Sequence, residues 1–147
     1  MARVECAPFA RALSGVALYG DAADWWQQAD GKYARGQTPS PGAVLVFSRS
    51  GKLPYGHVSV VSAVVDSRTI RVIQANWVHG QVSVRQPVVD VSPDNDWTQV
   101  RVFWPPSGHM GASVYQTDGF IRGEREPQED ALEARTPEAV RMAQAGD

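Results

Sequence analysis

Apolar positions repeat at two different periods along this chain. Over residues 6–18, Cys6, Phe9, Ala10, Leu13, Val16 and Ala17 recur at three- and four-residue steps, the mark of one helix face. Pro8 suits a first helical turn, where its missing N–H is no loss. Gly20-Asp21 reads as a stop followed by an N-cap, and residues 22–29 as a second short helix carrying Trp25-Trp26. After a loop over residues 36–42 the period drops to two. Residues 43–47 form an apolar run fit for a buried strand. Residues 57–65 and 69–76 are rich in β-branched side chains and flank the turn-forming cluster Asp66-Ser67-Arg68. Residues 81–85 alternate cleanly, 87–91 continue the sheet after a break, and 97–104 end at Pro105-Pro106.

The two central strands fix a testable register. A two-residue turn at Asp66-Ser67 sets Val65 opposite Arg68 and His57 opposite Asn76, with Cβ atoms ~5 Å apart. Gln74 lies on the same face. A four-residue turn keeps the parity and makes Asn76 diagonal to His57. A three-residue loop separates them unless a bulge restores the face.

Two helices followed by about five antiparallel strands imply an α+β domain with segregated layers. The N-terminus of the first helix can then abut the sheet where His57 begins. The character changes after residue 106. Residues 107–121 carry Val114, Tyr115, Phe120 and Ile121, enough to dock as an extension. Residues 122–147 are mostly charged, small or polar and read as a flexible tail without a core. Within that tail, Thr136-Pro137-Glu138 is placed to cap a short helix through Gln144. The expected division is therefore a body over 1–106, an extension over 107–121 and a tail over 122–147.

Composition narrows the function classes. The chain has 147 residues, 43% hydrophobic and 20% charged, which suits one packed domain. A formal net charge of −2 argues against broad capture of nucleic acid. No apolar run reaches transmembrane length. With Cys6 the single cysteine, neither an internal disulfide nor a multi-cysteine zinc site can form. His57, His79 and His109 lack the spacing of a ligand pair on one helix, so no metal or other cofactor is expected.

The chemistry-bearing residues are few. Cys6 sits at a helix start, where free N–H groups and the dipole favour a thiolate. The competing reading is a small core hydrophobe. Cys6, His57 and a side-chain amide from Gln74 or Asn76 form a nucleophile–base–orienter set. Trp26, Tyr55 and Trp77 flank these residues in sequence and suit the wall of a substrate groove. They equally suit core or rim packing.

Glu5-Cys6-Ala7-Pro8-Phe9-Ala10-Arg11, Pro41-Gly42-Ala43-Val44-Leu45-Val46-Phe47, Gly56-His57-Val58-Ser59-Val60-Val61 and Gln74-Ala75-Asn76-Trp77 together resemble the CHAP domain. This is the family of cysteine, histidine-dependent amidohydrolases/peptidases, in the papain-like group with NlpC/P60 enzymes. The resemblance spans roughly residues 3–106. It implies a papain-like fold and a peptidoglycan hydrolase that cuts either the N-acetylmuramoyl-L-alanine amide or a peptide bond of the stem or cross-bridge. By position, Cys6 matches the nucleophile, His57 the general base and Asn76 the polar residue closing the site, the preferred orienter. Gln74 falls where many members carry glutamate, and is the alternative orienter or an oxyanion donor. Glu5 stands where many carry glutamine and is expected to point away from the thiol. Ala7 and Pro8 offer no ligand for the calcium that some members bind. No secretory signal is visible, and with Cys6 so near the first residue a periplasmic or secreted monomer, its leader absent from this sequence, is expected over a cytoplasmic protein. The rival expectation is a non-catalytic module of this type that binds cell-wall peptide or a protein partner.

Overall fold

The computed structural model describes residues 5–123 and 125–145. Helix α1 (Cys6–Ser14) starts where the apolar stripe starts and stops short of residue 18. Gly15 takes φ +77°, and its N–H donates to the Arg11 carbonyl at 2.9 Å. That left-handed residue ends the helix, and glycine adopts it without a Cβ clash. Val16 and Leu18 stay buried beyond the cap, so the apolar face outlasts the helix. A 3-10 turn at Ala22–Asp24 runs into α2 (Trp25–Gln28). Trp25 is buried and Trp26 half-buried, as adjacent residues on different helix faces must be.

The strands are β1 (Arg35–Gly36), β2 (Val44–Phe47), β3 (His57–Asp66), β4 (Thr69–Ala75), β5 (Val82–Asp90), β6 (Gln99–Trp104), β7 (His109–Met110) and β8 (Tyr115–Ile121). All pairings are antiparallel, in the order β1-β8-β2-β3-β4-β5-β6-β7, and β6 also pairs with β8. That last pairing corrects the expected fold class. The structure is not the papain-like α+β arrangement of N-terminal helices on a sheet of about five strands. It is a closed six-stranded antiparallel barrel (β8-β2-β3-β4-β5-β6) with two extra short strands and a C-terminal helix.

Strand β8 makes the difference. Its first residues pair with β6 (Tyr115 with Val100, Gln116 with Gln99) and the rest with β2 (Thr117 with Phe47, Ile121 with Val44). One strand thereby satisfies both exposed edges, the problem closure solves. In sequence this segment carries Asp118 and Gly119 and lacks clean alternation, so it reads as an extension.

Two apolar clusters follow from the pleat. Leu45, Phe47, Val61, Ile70, Val72, Val88, Trp97, Val100, Val102 and Phe120 pack together in one. Val44, Val46, Val58, Val60 and Ile73 point the other way, against Phe9, Leu13, Trp25 and Leu132. Strand β2 is buried along its whole length because both of its faces are covered.

The covering layer includes α3 (Glu129–Ala145), where a core-less tail was expected. Leu132, Thr136, Ala139 and Ala143 recur at four-, three- and four-residue steps and are buried. Leu132 joins the cluster that holds α1. The helix begins well before Thr136-Pro137-Glu138, and Pro137 sits inside it. Polar contacts dock it: Glu129 receives two hydrogen bonds from Arg71, both at 2.9 Å, and Arg135 donates to the Leu13 carbonyl at 2.7 Å. Alanine and threonine give this face a weak hydrophobic signal, which is why the sequence conceals it. Residues 124, 146 and 147 lie outside the described part. Among the described residues, no helix is long and apolar enough to cross a membrane.

Candidate active site

Cys6 opens α1 and is half-buried. It lines an open cavity of about 270 Å³ together with Glu5, Pro8, Asp21, Tyr55 and Gly56. Strand β3 packs against α1, and the Val58 backbone N–H pulls the Cys6 thiol downward in pKa, against the larger effect of burial. Val58 follows His57, so the start of β3 abuts the start of α1, as the element order implied. Gly56, just before His57, packs closely on the end of β2 and the 3-10 turn. It has φ +72°, and a Cβ there would meet the Phe47 carbonyl oxygen at 2.6 Å and Ala23 at 2.7 Å.

The β3–β4 register explains which amide meets the histidine. The turn falls on Ser67-Arg68, one residue later than expected, with Asp66 opposite Thr69. Two irregularities, between Val61 and Ala63 and between Val64 and Asp66, then restore the expected pairing at Val60–Ile73. Carried on, that register sets Ser59 opposite Gln74. It would set His57 opposite Asn76, but β4 ends at Ala75.

Asn76 has φ +66°. Its Oδ1 accepts from the Gly80 N–H at 2.7 Å, and its Nδ2 donates to Glu5 Oε2 at 3.3 Å. Both ends of the amide are engaged elsewhere, so the expected contact between Asn76 and the imidazole is not what forms. His57 Nε2 instead lies 2.9 Å from Gln74 Oε1. The diagonal neighbour on the shared face has taken the place of the directly opposed one.

Gln74 Oε1 also accepts from Ser59 Oγ at 2.6 Å. Ser59 was missed in the sequence. It lies two residues from His57, on the same strand face and opposite Gln74, so the register itself could have found it. As an acceptor for both donors, Gln74 Oε1 sets the proton on His57 Nε2 and leaves Nδ1 with a free lone pair.

Burial sets the protonation of both groups. His57 is buried, which lowers its pKa from 6.5 to about 4, against a smaller opposing effect of the Gln74 bond. Burial likewise raises the Cys6 thiol above its ordinary value, and the charge of Glu5 adds to this. The N–H groups of Val58, Ala7 and Cys6 pull the other way without prevailing. The expected thiolate is therefore corrected: the helix start acts as anticipated, but desolvation is larger. Near neutral pH Cys6 is a thiol and His57 a neutral imidazole. Glu5 does not point away as expected, since it reaches Asn76 and its field reaches Cys6.

The aromatic candidates separate. Tyr55 is 67% exposed and lines the Cys6 cavity. Trp77 is half-buried, its ring 5.0 Å from that of His57, 5.6 Å from Phe47 and 5.0 Å from Tyr115. It covers the imidazole on the side of a second cavity. Trp26 is not brought to the Cys6 cavity. It packs against the core cluster under the Arg35 guanidinium, which lies 5.1 Å from its ring centroid.

No curated protein matches the chain. The family model described as the CHAP domain matches residues 1–76, a stretch that contains Cys6, His57, Gln74 and Asn76. That match covers 76 of 147 residues, so the chain belongs to the CHAP-domain family, a membership that suggests a peptidoglycan-related hydrolase or amidase role.

Proposed function

We propose that this protein hydrolyses an amide or peptide bond of peptidoglycan through Cys6, with His57 as general base and Gln74 as the residue that orients it. The observation that carries this reading is the 2.9 Å bond between His57 Nε2 and Gln74 Oε1, which leaves Nδ1 as the proton acceptor. The Val58 N–H, next in the chain to His57, also acts on the Cys6 thiol.

In the reaction, His57 Nδ1 takes the thiol proton as the sulfur attacks the scissile carbonyl carbon. Transfer is concerted with attack, because the resting pair is neutral. The carbonyl oxygen gains the displaced electron pair and meets the Cys6 backbone N–H at the helix start. The imidazolium then protonates the leaving amine as the C–N bond breaks, leaving a thioester. Water adds to that thioester, giving a proton to Nδ1, and the acid leaves as the Cys6 S–H re-forms.

Mass spectrometry of fragments released from purified peptidoglycan tests activity and bond together. The parent protein should release muropeptides and Cys6→Ala should release none, with an unchanged circular dichroism spectrum. Release by Cys6→Ala would overturn the mechanism.

The second reading is a non-catalytic wall-binding module. The raised Cys6 thiol and the neutral Gln74 favour it, since neither promotes an ion pair. It expects peptidoglycan binding by the parent protein with no fragment released.

A further inference from the structure

A second open cavity, about 300 Å³, lies beyond Trp77 and is lined by Trp77, Val102, Trp104, Ser113 and Tyr115 with the Gly111-Ala112 backbone. Every one of these residues falls after residue 76, where the family match ends. Trp77 links the cavity to the candidate base, since the ring that borders it stands 5.0 Å from the buried His57 ring.

Its chemistry is aromatic and free of carboxylates. Trp104 is 40% exposed at the end of β6, next to the turn into β7. Tyr115 meets Trp77 edge-on at 5.0 Å. Lys52 brings a cation to the rim: its Nζ contacts Ser113 Oγ and lies 5.9 Å from the Tyr115 ring centroid.

Resting on the proposed peptidoglycan activity, we infer that this cavity is a subsite for a sugar ring of the glycan strand. Of the two components of peptidoglycan, the glycan presents flat C–H faces that pack on indole and phenol rings. Its hydroxyl, acetamido and carboxyl-bearing substituents need donors at the edge. Ser113 and Lys52 supply such donors, while the aromatic wall supplies the apolar face. A stem peptide of small and charged residues has no comparable match to three aromatic side chains. A sugar held there lies one indole away from His57, so the enzyme is expected to prefer substrates that retain their sugar.

The test uses two readouts. N-acetylglucosamine oligomers are titrated into the Cys6→Ala protein and followed by indole fluorescence and two-dimensional NMR. Binding should perturb Trp77, Trp104 and Tyr115, and Cys6→Ala/Trp104→Ala should bind about tenfold more weakly, the loss expected from one aromatic contact face. Trp104→Phe should recover most of the affinity. In the Cys6-containing protein, Trp104→Ala should lower the ratio of kcat/KM for a sugar-bearing muropeptide to that for the free stem peptide by a similar factor. Oligosaccharide binding that ignores Trp104, no binding at all, or an unchanged ratio would overturn the subsite. Failure of the hydrolysis itself, with oligosaccharide binding intact, would overturn the proposed activity and leave the subsite standing.

Discussion

At the scale of single residues, the candidate site is governed by desolvation more than by the helix terminus. His57 falls from 6.5 to about 4 on burial, so folding favours its neutral form. The unfolded chain takes up this proton as pH falls through about 6.5, while the folded chain takes it up only near 4. The stabilisation is complete above the upper value, is lost as pH falls to the lower one, and changes no further below it. It is worth ~3 kcal/mol. Urea-denaturation midpoints measured across that window should fall for the parent protein and stay nearly level for His57→Gln. Gln74 offers a sharper probe. Its amide nitrogen has no partner among the described residues, so Gln74→Glu removes no hydrogen bond. A carboxylate beside the imidazole should raise the His57 pKa by about 1–3 units and stabilise an imidazolium–thiolate pair. Iodoacetamide should then alkylate Cys6 markedly faster near about pH 7, whereas in the parent protein the rate should climb only on the alkaline side. Equal profiles would mean that residue 74 does not govern the imidazole. Ser59→Ala removes the second donor to Gln74 Oε1 and should cost about 1 kcal/mol of stability. It should also lower kcat more than it changes KM, because a freer amide holds the imidazole less well.

At the scale of elements, what was legible in the sequence depended on how loudly each segment repeats. Helix α1 and strands β2, β3 and β4 carry strong apolar periodicity, and their existence and order were readable. The register near His57 was also readable, but only because two irregularities offset a turn displaced by one residue. The choice between Gln74 and Asn76 was not. It depended on β4 ending at Ala75 and on Asn76 entering a left-handed turn bonded to Gly80, which strand periodicity does not encode. Strand β8 and helix α3 were hidden for a different reason. Beside Phe120, Ile121 and Leu132, their buried faces use Thr117 and Gly119 in β8 and Thr136, Ala139 and Ala143 in α3, whose burial depends on partners far away in sequence. Gly56 shows how a loop residue controls the element after it. Gly56→Ala puts a methyl group 2.6 Å from the Phe47 carbonyl oxygen at φ +72°. The strain should be on the order of 1–3 kcal/mol, and relief requires moving the loop that delivers His57. We expect a lower melting temperature together with a fall in kcat larger than an equally destabilising core substitution such as Val88→Ala produces.

At the scale of the whole molecule, the three groups of the candidate site come from α1, β3 and β4, all within residues 1–76. What holds those elements in place comes largely from outside that stretch. Strand β8 closes the barrel on β2, the neighbour of β3. Helix α3 packs on α1 through Leu132 and bonds to the Leu13 carbonyl through Arg135. Arg71 of β4 binds Glu129 of α3, so α3 bridges the nucleophile's helix and the orienter's strand. Leu132 is fully buried in that contact, and Leu132→Ala should cost about 2–5 kcal/mol. The position of the loss matters more than its size. Amide hydrogen exchange should quicken first in α1 and α3 and least in β6, whereas β5 is tied to α3 through the ion pairs of Arg85 with Glu129 and Glu133. If α3 were a passive appendage, Leu132→Ala would loosen α3 alone and leave Cys6 alkylation unchanged. If α3 seats the nucleophile, Cys6 becomes easier to alkylate as its burial loosens, while hydrolysis slows because sulfur and imidazole no longer share a fixed geometry. These opposite movements of thiol reactivity and turnover distinguish support of the site from simple loss of folded protein, in which turnover scales with the folded fraction.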